Sequence, residues 1–124
     1  MSVEKAKAHY SGTSGFKKSN CAEAIAYAFQ DKFKLSAEDL SRFVACGGGR
    51  APGGVCGSLY AAQVILEKNH SQAAKDCAAA LLARAGSIQC REIRALKKLP
   101  CVGCVEMVAT HVDGICERQA NKNI

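Results

Sequence analysis

Four cysteines each stand where the chain is set to begin a helix: Cys21 after Asn20, Cys56 after a glycine-rich run, Cys90 soon after Ser87, and Cys101 directly after Pro100. The first turn of a helix carries unpaired N–H groups and the positive end of the macrodipole, and both favour a thiolate over a thiol. A chain with sulfur at these positions is built from helices. Where the fold brings their N-termini decides what the sulfurs do.

The apolar spacing around the cysteines is helical throughout. Val3, Ala6 and Tyr10 predict a short first helix, broken by Ser11-Gly12-Thr13-Ser14-Gly15. Asn20 with Glu23 forms a capping-box signature, after which Cys21, Ile25, Ala28 and Phe29 recur at helical spacing to about Phe33. Ser36 with Asp39 starts another helix, with Leu40, Phe43 and Val44 as its apolar face, and Gly47-Gly48-Gly49 ends it. Residues 47–54 then lead into a helix over about 55–68 that is apolar almost all round through Leu59, Tyr60, Val64, Ile65 and Leu66, the mark of a central element.

Ser71 caps a further helix through Ala73, Ala78, Leu81 and Leu82, closed by Gly86 with Arg84 in the last turn. Ser87 opens a short helix bearing Cys90, Ile93 and Leu96. Pro100 stops it and takes the first position of the last helix. That helix places Cys101, Cys104, Val105, Val108, Val112 and Ile115 along one side, and the tail from Gln119 is expected to fray. No strand-like alternation competes, so the expected fold is all-α, a single-domain bundle of five to seven helices over residues 1–124. Cys21, Cys56 and Cys90 are nearly evenly spaced, but their flanks do not repeat, which argues against a solenoid of helix pairs.

At 124 residues with 48% hydrophobic content, the chain can bury roughly two-thirds of its unfolded surface in one core, so it needs no disulfide scaffold. Its start lacks the apolar stretch of a signal peptide, and no run of about 18 apolar residues is present to span a membrane. The expected compartment is the cytoplasm, without membrane association. There, eight cysteines are metal ligands, redox groups or core residues more often than bridges. The net charge of +6 invites a nucleic-acid reading. Lys17-Lys18, Lys97-Lys98 and the Arg91/Arg94 pair have no aromatic residues interleaved to stack on bases, which favours a solvated basic face. An acidic partner or anionic ligand remains compatible with that charge.

The four cysteines and their neighbours resemble the family of redox-active proteins named for its pattern, C-GCAxxG-C-C. The similarity runs from Asn20-Cys21, through the glycine-rich loop and Cys56-Gly57-Ser58-Leu59-Tyr60-Ala61, to Cys90-Arg91-Glu92 and Cys101, across about residues 16–112. Ser58 and Ala61 stand where the family has alanine and glycine. Both are small, and the Ser58 hydroxyl can hydrogen-bond a neighbouring sulfur or the helix backbone. The resemblance implies a redox-active or metal-binding site made by Cys21, Cys56, Cys90 and Cys101. Relatives of the pattern occur beside iron–sulfur chemistry, which favours a cluster without assigning one.

If the helix N-termini gather at one end of the bundle, the four thiols converge, and thiolates or a sulfide cluster would offset the assembled positive dipole ends. Four thiolates can hold an iron–sulfur cluster or a tetrahedral zinc ion. Cys101-Val-Gly-Cys104 is the one Cys-x-x-Cys interval, with both sulfurs on one helix face, as in dithiol oxidoreductases where the first cysteine attacks and the second resolves. Core packing of Cys104 is an equal alternative.

Cys77 and Cys116 read as core; Cys46 reads as a packed thiol at a helix end that could also approach Cys56. The glycine loop with Arg50 lacks a P-loop ending, and a structural role beside Cys56 is favoured over a phosphate site. His111 could be a ligand if it turns inward, although a lone helical histidine is more often packed or solvated, and His9 and His70 offer no catalytic triad geometry.

The leading expectation is electron transfer or thiol–disulfide exchange with an unidentified redox partner protein. The rival is a non-catalytic protein fastened by structural zinc, its basic face binding an acidic partner. Small helical proteins with shared sites often pair, which leaves a homodimer open.

Overall fold

A helix begins at each of the two capping boxes read from the sequence. Asn20 Oδ1 accepts from the Glu23 N–H at 2.8 Å while Glu23 Oε1 accepts from the Asn20 N–H at 3.1 Å. Ser36 and Asp39 repeat the exchange at 3.1 and 2.9 Å. The computed structural model describes residues 2–12, 19–44, 46, 50–67 and 71–122, the side chains at 2, 52, 71 and 116–122 excepted. In chain order these form α1 (Ser2–Ser11), α2 (Cys21–Ala28), α3 (Ala37–Ser41), a single 3₁₀ turn (Pro52–Gly54), α4 (Gly57–Glu67), α5 (Ser71–Ala85), α6 (Cys90–Leu96) and α7 (Cys101–Lys122). The only sheet-like pairing among the described residues is an isolated antiparallel bridge between Val55 and Gln89.

The architecture is the expected all-α bundle. Helix α1 lies against α2 and α7, α2 against α4, and α4 against both α5 and α7. Central α4 exposes no residue before Glu67. Ile25 and Phe29, Leu59 and Leu66, Leu81, and Val105, Val108 and Val112 fill the interior from four directions. Each such side chain contributes about 1.5–3 kcal/mol on burial. Ala22, Ala24 and Ala26 are also fully buried, and their small side chains let neighbouring helices approach α2 closely. No described helix is long and apolar enough to cross a membrane.

Several boundaries differ from the sequence reading. Helix α2 ends at Ala28, short of Phe33, and the chain leaves it through turns that reach a left-handed Lys34 (φ 53°). Helix α3 is a little over one turn long; Phe43 is buried but Val44 is 61% exposed, so the apolar face stops one residue early. Leu82 and Leu96 are likewise exposed.

Gln89, not Ser87, is the N-cap of α6; the Ser87 hydroxyl instead accepts from the Gln89 N–H at 3.0 Å. Pro100 caps α7 from outside, its carbonyl accepting the first intrahelical bond from the Cys104 N–H at 3.0 Å, and α7 continues through the expected fraying region to Lys122. Gly86 ends α5 at φ 85°, and a Cβ there would lie 2.8 Å from Leu96 Cδ1. Gly47-Gly48-Gly49, Lys17-Lys18, His70 and the Ser71 cap lie outside what is described.

Candidate functional site

Helices α2, α4, α6 and α7 bring their N-termini to one side of the bundle, around an open cavity of about 360 Å³. Cys21, Cys56, Cys90, Cys101 and Cys104 all line it. Cys21, Cys90 and Cys101 are the first residues of their helices, and Cys56 is the residue before α4. The convergence expected of the four pattern cysteines is therefore present, with Cys104 as a fifth member.

The glycine after Cys56 has a direct steric cause. A Cβ at Gly57 would lie 2.5 Å from Cys21 Sγ, 2.8 Å from the Cys46 carbonyl oxygen and 3.3 Å from the Ala22 nitrogen. Only a residue without a side chain lets α4 begin this close to α2 and its sulfur. The approach ties the first two anchors of the pattern together.

Cys56 is itself the cap of α4. Its N–H donates to the Ile88 carbonyl at 2.7 Å and its carbonyl accepts from the Tyr60 N–H at 2.9 Å, which fixes the turn into the helix. Its sulfur accepts from the Cys104 thiol and from the Ser58 and Leu59 N–H groups of the first turn. Together these hold the Cys56 thiol down to about 6; Cys104 contributes most, and burial opposes the shift. The same contact pushes Cys104 up, since the donor must keep its proton, and burial adds to the effect. Cys56 and Cys104 are thus paired as an acceptor sulfur and its thiol donor.

Cys101 has different neighbours. The Tyr10 hydroxyl and the Arg94 guanidinium both reach its sulfur. Burial, followed by the adjacent Cys101 and Cys21 sulfurs, pushes Tyr10 up to about 12, and the hydrogen bond to Cys101 raises Arg94. Burial also raises the Cys90 thiol. Accessibility divides the sulfurs: Cys56 and Cys104 are 6% and 2% exposed, Cys90 is buried, and Cys21 and Cys101 are half-buried at the mouth.

Among the described residues, no three Cys, His, Asp or Glu side chains are gathered closely enough to hold a metal ion. The sulfurs share a cavity, but Cys56 is engaged with Cys104 and Cys101 with Tyr10 and Arg94. The residues as they stand do not fit a closed zinc shell. No disulfide joins the described cysteine side chains.

Cys77 is fully buried behind the site, where burial pushes its thiol up to about 12. Cys46 donates its thiol to the Arg42 carbonyl at 3.3 Å and stays off the cavity, the packed helix-end thiol expected of it. The side chain of Cys116 is not among those described. His9 packs on Tyr27 with ring centroids 5.1 Å apart, and His111 lies by a separate cleft with Arg84 and Glu106. Arg50 is exposed and lines none of the cavities described.

Sequence reasoning missed Tyr10 and Arg94. Tyr10 reads as an apolar-stripe residue of α1 and Arg94 as half of a basic pair on α6. Only the packing of α1 beside α2 and α7 brings the hydroxyl to Cys101.

A family model described as "Putative redox-active protein (C_GCAxxG_C_C)" matches residues 19–115. No curated protein and no solved structure matches the chain.

Proposed function

The chain belongs to the C_GCAxxG_C_C family of redox-active proteins, and from that premise we propose that it performs thiol–disulfide exchange, with Cys56 as the attacking thiolate and Cys104 as the resolving sulfur. The observation that supports this most is the hydrogen bond from the Cys104 thiol to a Cys56 sulfur already held by the first amides of α4. It joins a nucleophile, ionised near neutral pH, to a second sulfur within reach of it.

In the forward direction the Cys56 thiolate attacks one sulfur of a substrate disulfide. The substrate S–S bond breaks, a Cys56–substrate disulfide forms, and the departing sulfur leaves as a thiolate that takes up a proton. Cys104 then attacks the Cys56 sulfur, its proton passing to the second departing substrate sulfur. Two electrons have moved from the Cys56/Cys104 dithiol to the substrate, which ends as two thiols. The cavity volume lies at the lower end of small-molecule sites, and both reacting sulfurs are at its buried side, so the substrate on this reading is a small disulfide.

Oxidation with hydroxyethyl disulfide, acid quenching, alkylation of the remaining thiols and peptide mapping test the reading. A Cys56–Cys104 disulfide is the expected product. The five sulfurs around one cavity favour a second reading, a thiolate-bound iron–sulfur cluster carried on rearranged cysteines. Anaerobic incubation with iron and sulfide that yields stable visible charge-transfer absorption, lost on substitution of Cys21, Cys56, Cys90 or Cys101, would replace the exchange reading with that one. A structural zinc role predicts instead that chelation unfolds the chain.

A further inference from the structure

The proposed exchange leaves Cys101 unused, although it is the sulfur with the most developed polar surroundings at the cavity mouth. Cys101 and Cys104 occupy the first and fourth positions of α7. Helical rise and radius place such Cα atoms about 5 Å apart, inside the window of about 4.4–6.8 Å over which disulfides form. Cys104 therefore has two potential bridging partners: Cys56, whose sulfur its thiol already contacts, and Cys101, one turn back on its own helix. The two differ in access, since Cys56 is buried and Cys101 is half-buried at the mouth.

Resting on the exchange reading above, we propose that Cys104 is a shared sulfur in a three-cysteine relay: a small disulfide oxidises the buried Cys56–Cys104 pair, and Cys101 then attacks Cys104 to move the bridge outward to Cys101–Cys104, where a larger dithiol partner can reach it. The transfer step breaks the Cys56–Cys104 bond, forms the Cys101–Cys104 bond and releases Cys56 as a thiolate, the Cys101 proton passing to solvent, with no net change in electrons. Cys56 is the better leaving group because the Ser58 and Leu59 amides face its sulfur and receive the charge as it departs. At the other end, Arg94 and the Tyr10 hydroxyl hold the Cys101 sulfur beside the mouth. Arg94 is a positioning residue for the transfer. A protein dithiol then reduces the Cys101–Cys104 bridge by ordinary exchange, giving up two electrons and becoming a disulfide itself.

The test is a single-turnover time course of the full chain with hydroxyethyl disulfide, acid-quenched, alkylated and mapped by mass spectrometry. In the unmodified protein the Cys56–Cys104 bridge is expected first, with Cys101–Cys104 replacing it. Cys101→Ser should stop at Cys56–Cys104. Cys56→Ser removes the first bridge, so any Cys101–Cys104 bridge it forms should appear without a preceding intermediate. Arg94→Gln should slow the outward transfer relative to the first oxidation, with Arg94→Lys recovering part of the loss; a merely structural role would not split the two steps.

Persistence of Cys56–Cys104 in the unmodified protein to the extent seen in Cys101→Ser would overturn the relay while leaving the Cys56/Cys104 exchange standing. Appearance of Cys101–Cys104 before Cys56–Cys104 would overturn its direction. Formation of neither bridge in folded protein would remove the exchange reading and the relay with it. If Cys101→Ser does not fold, Cys101→Ala or the order of bridges in the unmodified chain decides the question.

Discussion

The most direct consequence of the site is the pH at which Cys56 becomes reactive. Its thiol is held from an ordinary value near 9 down to about 6. At pH 6 roughly half of it is then thiolate, against about one part in a thousand for an unshifted cysteine, a gain of about 500-fold. Lower basicity makes the thiolate a weaker nucleophile, and a Brønsted slope of about 0.45 over that interval takes back roughly 20-fold. The net advantage over an equally accessible ordinary cysteine is about 25-fold at pH 6 and about fourfold at pH 7, turning into a deficit of about tenfold at pH 9.

Burial of Cys56 lowers every rate by a common factor, so the shape of the profile carries the information. Peptide-resolved alkylation with iodoacetamide should give a Cys56 rate that rises through pH 6 and is flat above about pH 7. Cys104→Ala removes the strongest stabilising contact and should move the inflection upward; Cys104→Ser, which keeps a donor, should move it less. A Cys56 rate still climbing tenfold per pH unit through pH 8 would refute the charge assignment.

Other consequences concern stability. Gly57→Ala puts a methyl group against Cys21 Sγ, the Cys46 carbonyl and the Ala22 nitrogen; two of the three are backbone atoms that cannot rotate away, and a loss of about 1–3 kcal/mol is expected. An unchanged urea midpoint would show that α2 and α4 do not meet this closely. Asn20→Ala removes the α2 cap and two Nδ2–H bonds to the Phe43 and Val44 carbonyls at 3.1 and 2.9 Å. About 2 kcal/mol should be lost in chemical unfolding, whereas Asn20→Asp keeps the cap and should lose less.

Stability should also depend on pH through the sulfurs. Because the folded value of Cys56 is depressed, its stabilisation is present above the unfolded value near 9 and is lost as pH falls through about 6, with an upper bound of about 4 kcal/mol. Cys77, pushed up to about 12, acts in the opposite sense, and its stabilisation is lost as pH rises from 9 through 12. Urea midpoints rising from pH 6 to 8.5 in the unmodified chain and level in Cys56→Ser are the expected result; equal slopes in the two would contradict it.

Local rules made much of this legible in the sequence. Two capping boxes, the Gly86 stop and the apolar stripe of α7 depend on residues within a turn or two of one another, and they appear where they were read. The gathering of the pattern cysteines was also legible, because each heads a helix whose inward stripe points to the same core. What could not be read was pairing across the chain. Cys104 is i+3 from Cys101, and that interval suggests a local dithiol; its contact with Cys56 exists only because α4 and α7 pack together. Val44, Leu82 and Leu96 fit helical periodicity yet face solvent, since periodicity defines a face without stating whether another element covers it.

The charge pattern of the cavity supplies an order for the chemistry. Cys77, Cys90 and Cys104 are all raised, and in each case the Cys56 charge contributes to the rise. Two thiolates about 4 Å apart in partly buried surroundings repel by about 4 kcal/mol, so the site charges Cys56 and keeps these neighbours neutral. Four positive helix ends facing one another are offset by that single anion. On the proposed exchange, the charge of the attacking Cys56 leaves with the substrate sulfur. Cys104 then loses both the acceptor that held its proton and the repulsion that discouraged ionisation. On that reading the resolving sulfur is least reactive before the first step and more reactive after it, which would suppress futile attack and make the nucleophile's own consumption the signal for the second step.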